Sequence, residues 1–302
     1  MSEPALLFDG VTRRFGRTVA LDGVRLEVAN GTVLGLIGRN GAGKTTALRL
    51  ALGHLWPDGG RIRTLGLDPV RQHRQVTTRV ALLSEESALY PWMTIEEIVR
   101  FAGALHPRWD TDLAAKLVKD LDLQPKQCIK ELSRGTRAKV ALVLAVATRP
   151  ELLLLDDPTA GLDPLVRREV LEGILGAVSG EGGSVVYASH LVHDVERVAD
   201  RVVVLDGGAI RLDAGLDDLK ARIRRARAVF DQEPRPDGTI PGLIAAEADG
   251  RVLTVTADAQ NGSLEAALRA LGGRDIVIEP LPLEEILVAL LREGRKKEAP
   301  RV

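Results

Sequence analysis

The chain has 302 residues, 45% of them apolar and 27% charged, with 41 Lys and Arg set against 42 Asp and Glu. A chain of this length buries a substantial core, as one large domain or two smaller ones, and the composition excludes a disordered or collagen-like polymer. A net charge of −1 argues against broad nucleic-acid binding, which leaves a basic footprint, and four Phe, three Trp and two Tyr are too few for a base-stacking platform.

The first ten residues contain Glu3, Pro4 and Asp9 and no basic segment, so no signal peptide is expected. The longest uninterrupted apolar run, Val140 to Ala147, falls far short of the roughly 18 residues of a membrane span. A lone cysteine, Cys128, excludes an internal disulfide and a cysteine-cluster metal site. The expectation is a soluble, cytoplasmic protein.

In chain order, Val33 to Ile37 is a short apolar run ending in a glycine-rich turn, Gly38 to Gly43. A helix is predicted from Lys44 to about Leu55, stopped by Pro57-Asp58-Gly59-Gly60. A mostly helical insert follows, about Thr94 to Ala147, whose start reads as a capping box, Thr94-Ile95-Glu96-Glu97. Two further apolar runs end in polar groups: Leu152 to Leu155 before Asp156-Asp157-Pro158, and Ser184 to Ala188 before Ser189-His190. Such runs, alternating with helices, read as a parallel sheet with its functional groups at the carboxyl ends of the strands. Past about Gly215 the pattern changes. Gly242 to Ala248 and Arg251 to Ala257 flank Asp249-Gly250, a hairpin signal. A helix over Ser263 to Leu271, a strand over Asp275 to Glu279 and a last helix over Leu283 to Arg292 complete a small α+β region, with a solvated, disordered tail from Arg295.

Gly38-Arg39-Asn40-Gly41-Ala42-Gly43-Lys44-Thr45 fits the G-x-x-x-x-G-K-[ST] pattern, and it lies between a predicted strand and a helix as its mechanism requires. Glycines let the backbone curl so that N–H groups converge on phosphate oxygens, and the helix adds its positive end. Lys44 suits the β/γ-phosphates and the Thr45 hydroxyl suits Mg²⁺. Asp156, a carboxylate closing a buried strand, is costly there unless paired, and Mg²⁺ in a phosphate-loop protein is its natural partner. A helix N-cap ahead of Pro158 is the other use of such a residue.

With these landmarks in order, about residues 4 to 215 resemble the nucleotide-binding subunit of ATP-binding cassette (ABC) transporters. Leu132-Ser133-Arg134-Gly135-Thr136 resembles the LSGGQ signature, Ala160-Gly161-Leu162-Asp163 the D-loop, and His190 the switch histidine. The resemblance implies a P-loop ABC cassette over residues 1–215, α/β in class, with a helical subdomain over residues 86–150 and the α+β extension over residues 216–302. It further implies that ATP contacts Gly38, Asn40, Gly41, Gly43, Lys44, Thr45 and Thr46. Phe15 falls where the family stacks an aromatic on adenine, although a core role fits the same residue. Ser133, Gly135 and Asp163 would serve an ATP shared with a second cassette, in a homodimer or heterodimer. Ser133 as a plain helix cap, and His190 as a satisfied strand-end histidine, are the alternatives.

The chain departs from the family at three places. Where most members have Glu after the Walker B aspartate, it has Asp157, whose carboxylate is retracted by roughly 1.5 Å; hydrolysis is expected to be slow, since misplacement by about 1 Å costs on the order of a hundredfold. The Q-loop position is Glu85, a third candidate Mg²⁺ ligand and a candidate catalytic residue, or else a solvated loop acid. Arg134 and Thr136 replace the usual glycine and glutamine of the signature, while Ser133 and Gly135 are kept.

Because the chain has no span of its own, the resemblance implies a separate membrane permease, with the cassette peripheral on the inner face of the cell membrane. The permease is expected to dock near Tyr90 and Trp92, in Ala88-Leu89-Tyr90-Pro91-Trp92-Met93, unless these side chains belong to the subdomain core. The small C-terminal extension leans toward export. A non-transport switch, or a slow regulatory cassette in a heterodimer, are the competing readings.

Overall fold

The computed structural model describes residues 3–84, 89–179, 182–234, 240–259 and 263–298. Strand β1 (Leu6–Phe15) turns at Gly16, φ +58°, into β2 (Thr18–Val28), with which it pairs antiparallel. Strand β3 (Val33–Ile37), buried along its whole length, leads through the glycine-rich turn into helix α1 (Lys44–Ala51). Helix α1 stops short of the predicted Leu55, because Gly53 at φ +76° reverses the chain. The Gly53 N–H then donates to Leu50 O and the His54 N–H to Arg49 O, a paired closure that a left-handed glycine makes possible. Strand β4 (Gly59–Thr64) joins the free side of β1, completing a three-stranded antiparallel sheet.

After the short helix α2 (His73–Thr77) comes β5 (Val80–Ser84), then the helical insert: α3 (Ile95–Leu105), α4 (Thr111–Asp120) and α5 (Arg134–Val146). The capping box at Thr94 is present in both directions: Thr94 Oγ1 accepts from the Glu97 N–H at 3.2 Å, and Glu97 Oε2 accepts from the Thr94 N–H at 2.8 Å. Asp110 and Ser133 cap α4 and α5 through their side-chain oxygens. The chain then returns to the sheet with β6 (Leu152–Asp156), α6 (Pro164–Ser179), β7 (Ser184–Ser189), α7 (Val192–Glu196), β8 (Arg201–Asp206) and β9 (Ala209–Gly215). The six-stranded sheet has the order β5-β6-β7-β3-β8-β9, and β5, β6, β7, β3 and β8 run parallel. The three apolar runs of the sequence are thus neighbours, and their carboxyl ends lie side by side. A single core joins this sheet, the antiparallel sheet and α1, with Leu6, Phe8, Leu21, Leu34, Leu48, Leu154 and Val186 buried in it.

The chain divides into two compact units, Met1–Asp213 and Ala214–Val302. The second contains α8 (Leu216–Arg222), β10 (Ile223–Val229), β11 (Leu243–Asp249), β12 (Val252–Asp258), α9 (Ser263–Ala270), β13 (Arg274–Pro280) and α10 (Leu283–Glu298). Its antiparallel sheet has the order β11-β12-β10-β13 and packs Ala226, Phe230, Leu253 and Val255 against Leu264 and Leu268 of α9. The β11–β12 hairpin turns at Gly250, φ +57°. Helix α10 runs six residues beyond the predicted Arg292, so Arg295 to Glu298 are helical where a disordered tail is expected. Gly294 costs the helix only about 1 kcal/mol, and the Arg, Lys and Glu around it are good helix formers. Among the described residues no helix is long and apolar enough to cross a membrane.

Candidate active site

The turn after β3 is built on backbone that only glycine adopts freely. Gly41 and Gly43 have φ of +81° and +110°, and a Cβ on Gly43 would lie 2.4 Å from Ala20 O. Gly38 is equally confined, its Cβ position 2.6 Å from Leu205 O. Asn40 and Gly41 are exposed at the crest of the turn, and Thr45 and Thr46 are half-buried in the first turn of α1. That turn carries no acidic residue and Gly43 supplies no side-chain cap, so its positive end is left for an anion. Lys44 is 5% exposed; its Nζ donates to Gly38 O at 2.7 Å and lies 3.8 Å from Asp157 Oδ2.

Opposite the turn, Thr45 Oγ1 donates to Asp156 Oδ1 at 3.0 Å. Burial pushes the Asp156 carboxyl above its ordinary value; the Thr45 hydrogen bond opposes this, while the neighbouring charge of Asp157 adds to it. A hydroxyl and a carboxylate in contact, with a second carboxylate beside them in a partly buried place, form an all-oxygen donor set suited to Mg²⁺. The residues present therefore fit this ion. Glu85 lies outside the described residues.

Asp157 takes a left-handed backbone, φ +46°, which costs a non-glycine residue on the order of 1 kcal/mol. Its N–H donates to Ala188 O on β7 at 2.8 Å. The side chain is thereby turned across to the end of β7, where Oδ1 accepts from Ser189 Oγ at 2.9 Å, the His190 N–H at 3.1 Å and His190 Nδ1 at 2.8 Å. Strand order explains the meeting, because β6, β7 and β3 are neighbours. Lys44, Thr45, Asp156, Asp157 and His190 are joined by direct contacts.

Ser133, Gly135 and Asp163 belong to a different surface. Ser133 Oγ accepts from the Thr136 N–H at 3.1 Å and contacts Thr136 Oγ1 at 2.8 Å, so the Thr in place of the signature glutamine is tied to the serine. Gly135 lies against α6, with its Cβ position 3.0 Å from Val166, and Arg134 packs on Gly161 of the D-loop. Asp163 caps α6 by accepting from the Leu165 and Val166 N–H groups, both at 3.1 Å. Among the described residues the contacts of Ser133, Gly135 and Asp163 stay within this surface and do not reach the Gly38–Thr46 turn.

Phe15 is 45% exposed at the end of β1, so it is no part of the core, and the Arg13 guanidinium covers its ring at 4.7 Å. Tyr90 and Trp92 are also surface residues, 41% and 70% exposed, with ring centroids 5.3 Å apart. Phe101 of α3, which the sequence reading did not single out, meets Tyr90 edge-on at 5.5 Å. The signal for it was its scarcity: three of so few aromatic residues gather in one patch.

Residues 21–160 match the ABC transporter family. The daunorubicin resistance ATP-binding protein DrrA3 of Streptomyces coeruleorubidus is 32% identical over 99% of this chain and 100% of its own. The sulfate/thiosulfate import ATP-binding protein CysA of Bradyrhizobium diazoefficiens is 34% identical over 69% of this chain and 63% of its own. A solved structure of the ATP-binding subunit of an ABC transporter superposes with a TM-score of 0.65 at 26% identity, over 72% of this chain and 92% of that one. The phosphate-binding turn, the parallel sheet that carries it and this similarity along its full length lead to one conclusion: the chain is an ABC transporter ATP-binding protein, an ATPase subunit of that family.

Proposed function

We propose that this protein hydrolyses MgATP as one half of a pair of cassettes and so drives a separate membrane permease. The observation that carries the reading is the meeting of Lys44, Thr45, Asp156, Asp157 and His190 at the ends of three adjacent strands. Lys44 and the N–H groups of the Gly38–Thr46 turn bind the phosphates. Thr45 and Asp156, with Glu85 as a further ligand, would hold Mg²⁺, which would supply positive charge to offset that of the phosphates. Asp157 keeps a proton on His190 Nδ1, leaving the Nε2 lone pair to accept a proton from water as its oxygen bonds to the γ-phosphorus and the bridging bond to ADP breaks.

Ser133, Gly135 and Asp163 stand apart from the phosphate turn of their own chain, which supports a role for them on ATP held by a second cassette. Phe15 serves as the adenine platform. The patch of Tyr90, Trp92 and Phe101 meets the permease, which holds the cassette on the cytoplasmic face of the membrane. Similarity to a drug-resistance protein along the whole chain, against a partial match to an import protein, supports export. In this division of labour residues 1–215 form the cassette and residues 216–302 an accessory domain.

Steady-state ATPase activity of the purified protein tests the reading: turnover should require Mg²⁺ and vanish in Lys44→Ala. A second reading, a slow regulatory cassette in a heterodimer, is favoured by the short Asp157 side chain. It predicts nucleotide binding with negligible turnover until a partner cassette is added. In either case Glu85→Gln should alter the Mg²⁺ dependence if Glu85 is a ligand, and leave it unchanged if it is a solvated acid.

A further inference from the structure

Behind the phosphate site lies a buried charge that the chemistry above does not use. Asp194 of α7 is 1% exposed, a costly place for a carboxylate unless it is paired and hydrogen-bonded. Its Oδ2 accepts from Thr159 Oγ1 at 2.6 Å and lies 3.7 Å from Arg167 Nε. Tyr187, fully buried on β7, is 3.1 Å from the same Thr159 hydroxyl. The pairing is incomplete: Asp194 Oδ1 and Arg167 Nε are both buried without a hydrogen-bond partner among the described residues. At 3.7 Å the Arg167 Nε–Asp194 Oδ2 pair lies outside hydrogen-bond range, so a small approach of Arg167 would give its Nε an acceptor.

The partners of Asp194 bracket the D-loop. Thr159 precedes it and is fully buried; Arg167 follows one turn after Asp163, its N–H donating to Asp163 O at 2.9 Å and its Nη2 to Leu162 O at 3.5 Å. On its other side Asp194 belongs to the segment that carries His190. The Asp194 N–H donates to Leu191 O at 3.2 Å, and the Leu191 N–H donates to Ser189 Oγ at 3.0 Å. That hydroxyl in turn donates to Asp157 Oδ1. An unbroken run of contacts therefore leads from both ends of the D-loop, through Asp194, to the carboxylate that holds His190.

We infer that Asp194 is a positioning residue that couples the D-loop, residues 160–163, to the His190 segment, so that a second cassette meeting Asp163 alters the setting of His190 and Asp157. Hydrogen bonds in a buried, low-dielectric network are strong and directional, and a turn that moved away without α7 would strand the Asp194 charge. A closed Arg167–Asp194 pair, against the open one at 3.7 Å, is the second arrangement that such a switch needs. This inference rests on the two-cassette ATPase reading.

Hydrogen exchange of the full chain, with and without Mg²⁺ and an ATP analogue that cannot be cleaved between its β- and γ-phosphates, tests it. In the wild type, residues 38–46, 158–163 and 190–196 should all gain protection. In Asp194→Asn, and in the shape-conserving Thr159→Val, residues 38–46 should keep their gain while that of 190–196 falls by about tenfold. Turnover should fall by about tenfold in both variants with KM for ATP changed by less than about twofold. Protection of 190–196 that persists in both variants, or that is missing in the wild type although 38–46 is protected, overturns the coupling alone. A wild type unprotected at 38–46 overturns the nucleotide reading, and this inference with it.

Discussion

Asp157 Oδ1 accepts from His190 Nδ1 at 2.8 Å, and the same oxygen accepts from the His190 N–H and from Ser189 Oγ. The carboxylate thus points along the end of β7 rather than straight outward, and its main partner is the imidazole. With Nδ1 donating, Nε2 is the free nitrogen of the ring. In ABC cassettes carrying the longer Glu at this place, the carboxylate has one more carbon with which to reach a water; in the proposed function the histidine takes the part of the base. His190→Ala is expected to lower ATP turnover by about 10²–10⁴-fold with little change in nucleotide affinity, the usual range for loss of a general base. Asp157→Asn should approach the same loss, because it removes the charge that holds the proton on Nδ1.

Asp157→Glu reads the departure directly. If the missing carbon slows the reaction, the longer side chain raises steady-state ATPase turnover by on the order of tenfold or more. A large loss of rate would mean that the site is built around the shorter residue, and the expectation that the shorter side chain slows hydrolysis would fall.

As the proposed Mg²⁺ ligand, Asp156 is expected to tie catalysis to stability with opposite signs. Burial raises its pKa in the folded chain, so between the ordinary value of 3.8 and the raised one the folded state holds a proton that the unfolded state has released. Stability from this group is complete below pH 3.8 and is lost as pH rises through that window. Asp156→Asn keeps an acceptor for Thr45 and removes the buried charge. Without nucleotide it should melt higher than wild type at pH 7, with the gap closing toward pH 3.8, and Mg²⁺-dependent turnover should fall by on the order of a hundredfold or more. Thermal melts across pH, with ATPase assays beside them, check both halves.

The parallel sheet and the phosphate turn were legible because buried parallel strands read as continuous apolar runs and because the turn needs glycines at fixed positions. Strand β1 was not legible. Gly10, at φ +64°, sits in a register shift between Phe8 and Val11 that breaks its alternation. Strand β10 was hidden by the Arg224-Arg225 doublet, although Ile223, Ala226 and Ala228 are buried. In the site, the residue types of Asp157 and His190 could be read from order along the chain. Their contact could not, since it depends on the left-handed turn at Asp157 and on β6 lying beside β7. Asp194 gave no signal either; a single acid on a five-residue helix shows its burial only once the D-loop is folded over it.

The patch of Tyr90, Trp92 and Phe101 gives a prediction about partners. Three large, exposed aromatic side chains, with Tyr90 in contact with both of the others, suit an interface better than a free surface. The loop that carries two of them is held by Lys130 N–H donating to Pro91 O at 3.0 Å and Ile129 N–H to Met93 O at 2.8 Å, so they are presented on a fixed frame. Tyr90→Ala with Trp92→Ala should leave the ATPase activity of the isolated chain within about twofold while reducing co-purification with the permease by about tenfold or more, as expected when anchor residues are truncated. Unchanged co-purification would assign the patch to something other than the permease.

Acid stability should be set in part at the far end of the same sheet. Glu151 stands just before β6; it accepts from Arg79 Nε at 2.9 Å and Nη2 at 2.5 Å and is also bonded to Arg108. The Arg79 hydrogen bond, ahead of the opposing cost of burial, brings the Glu151 pKa down from 4.5 to about 2. A lowered carboxylate pKa means that the folded state binds fewer protons than the unfolded state, so the stabilisation is complete above pH 4.5 and is lost as pH falls toward 2. The three side chains are each more than a third exposed, which discounts the gain to about 1 kcal/mol. Glu151→Gln should therefore be less stable than wild type by about that amount at pH 7 in urea melts. The difference should shrink between pH 4.5 and about 2 and diminish in high salt. A gap that stays constant across that range would mean that Glu151 contributes through packing and not through its charge.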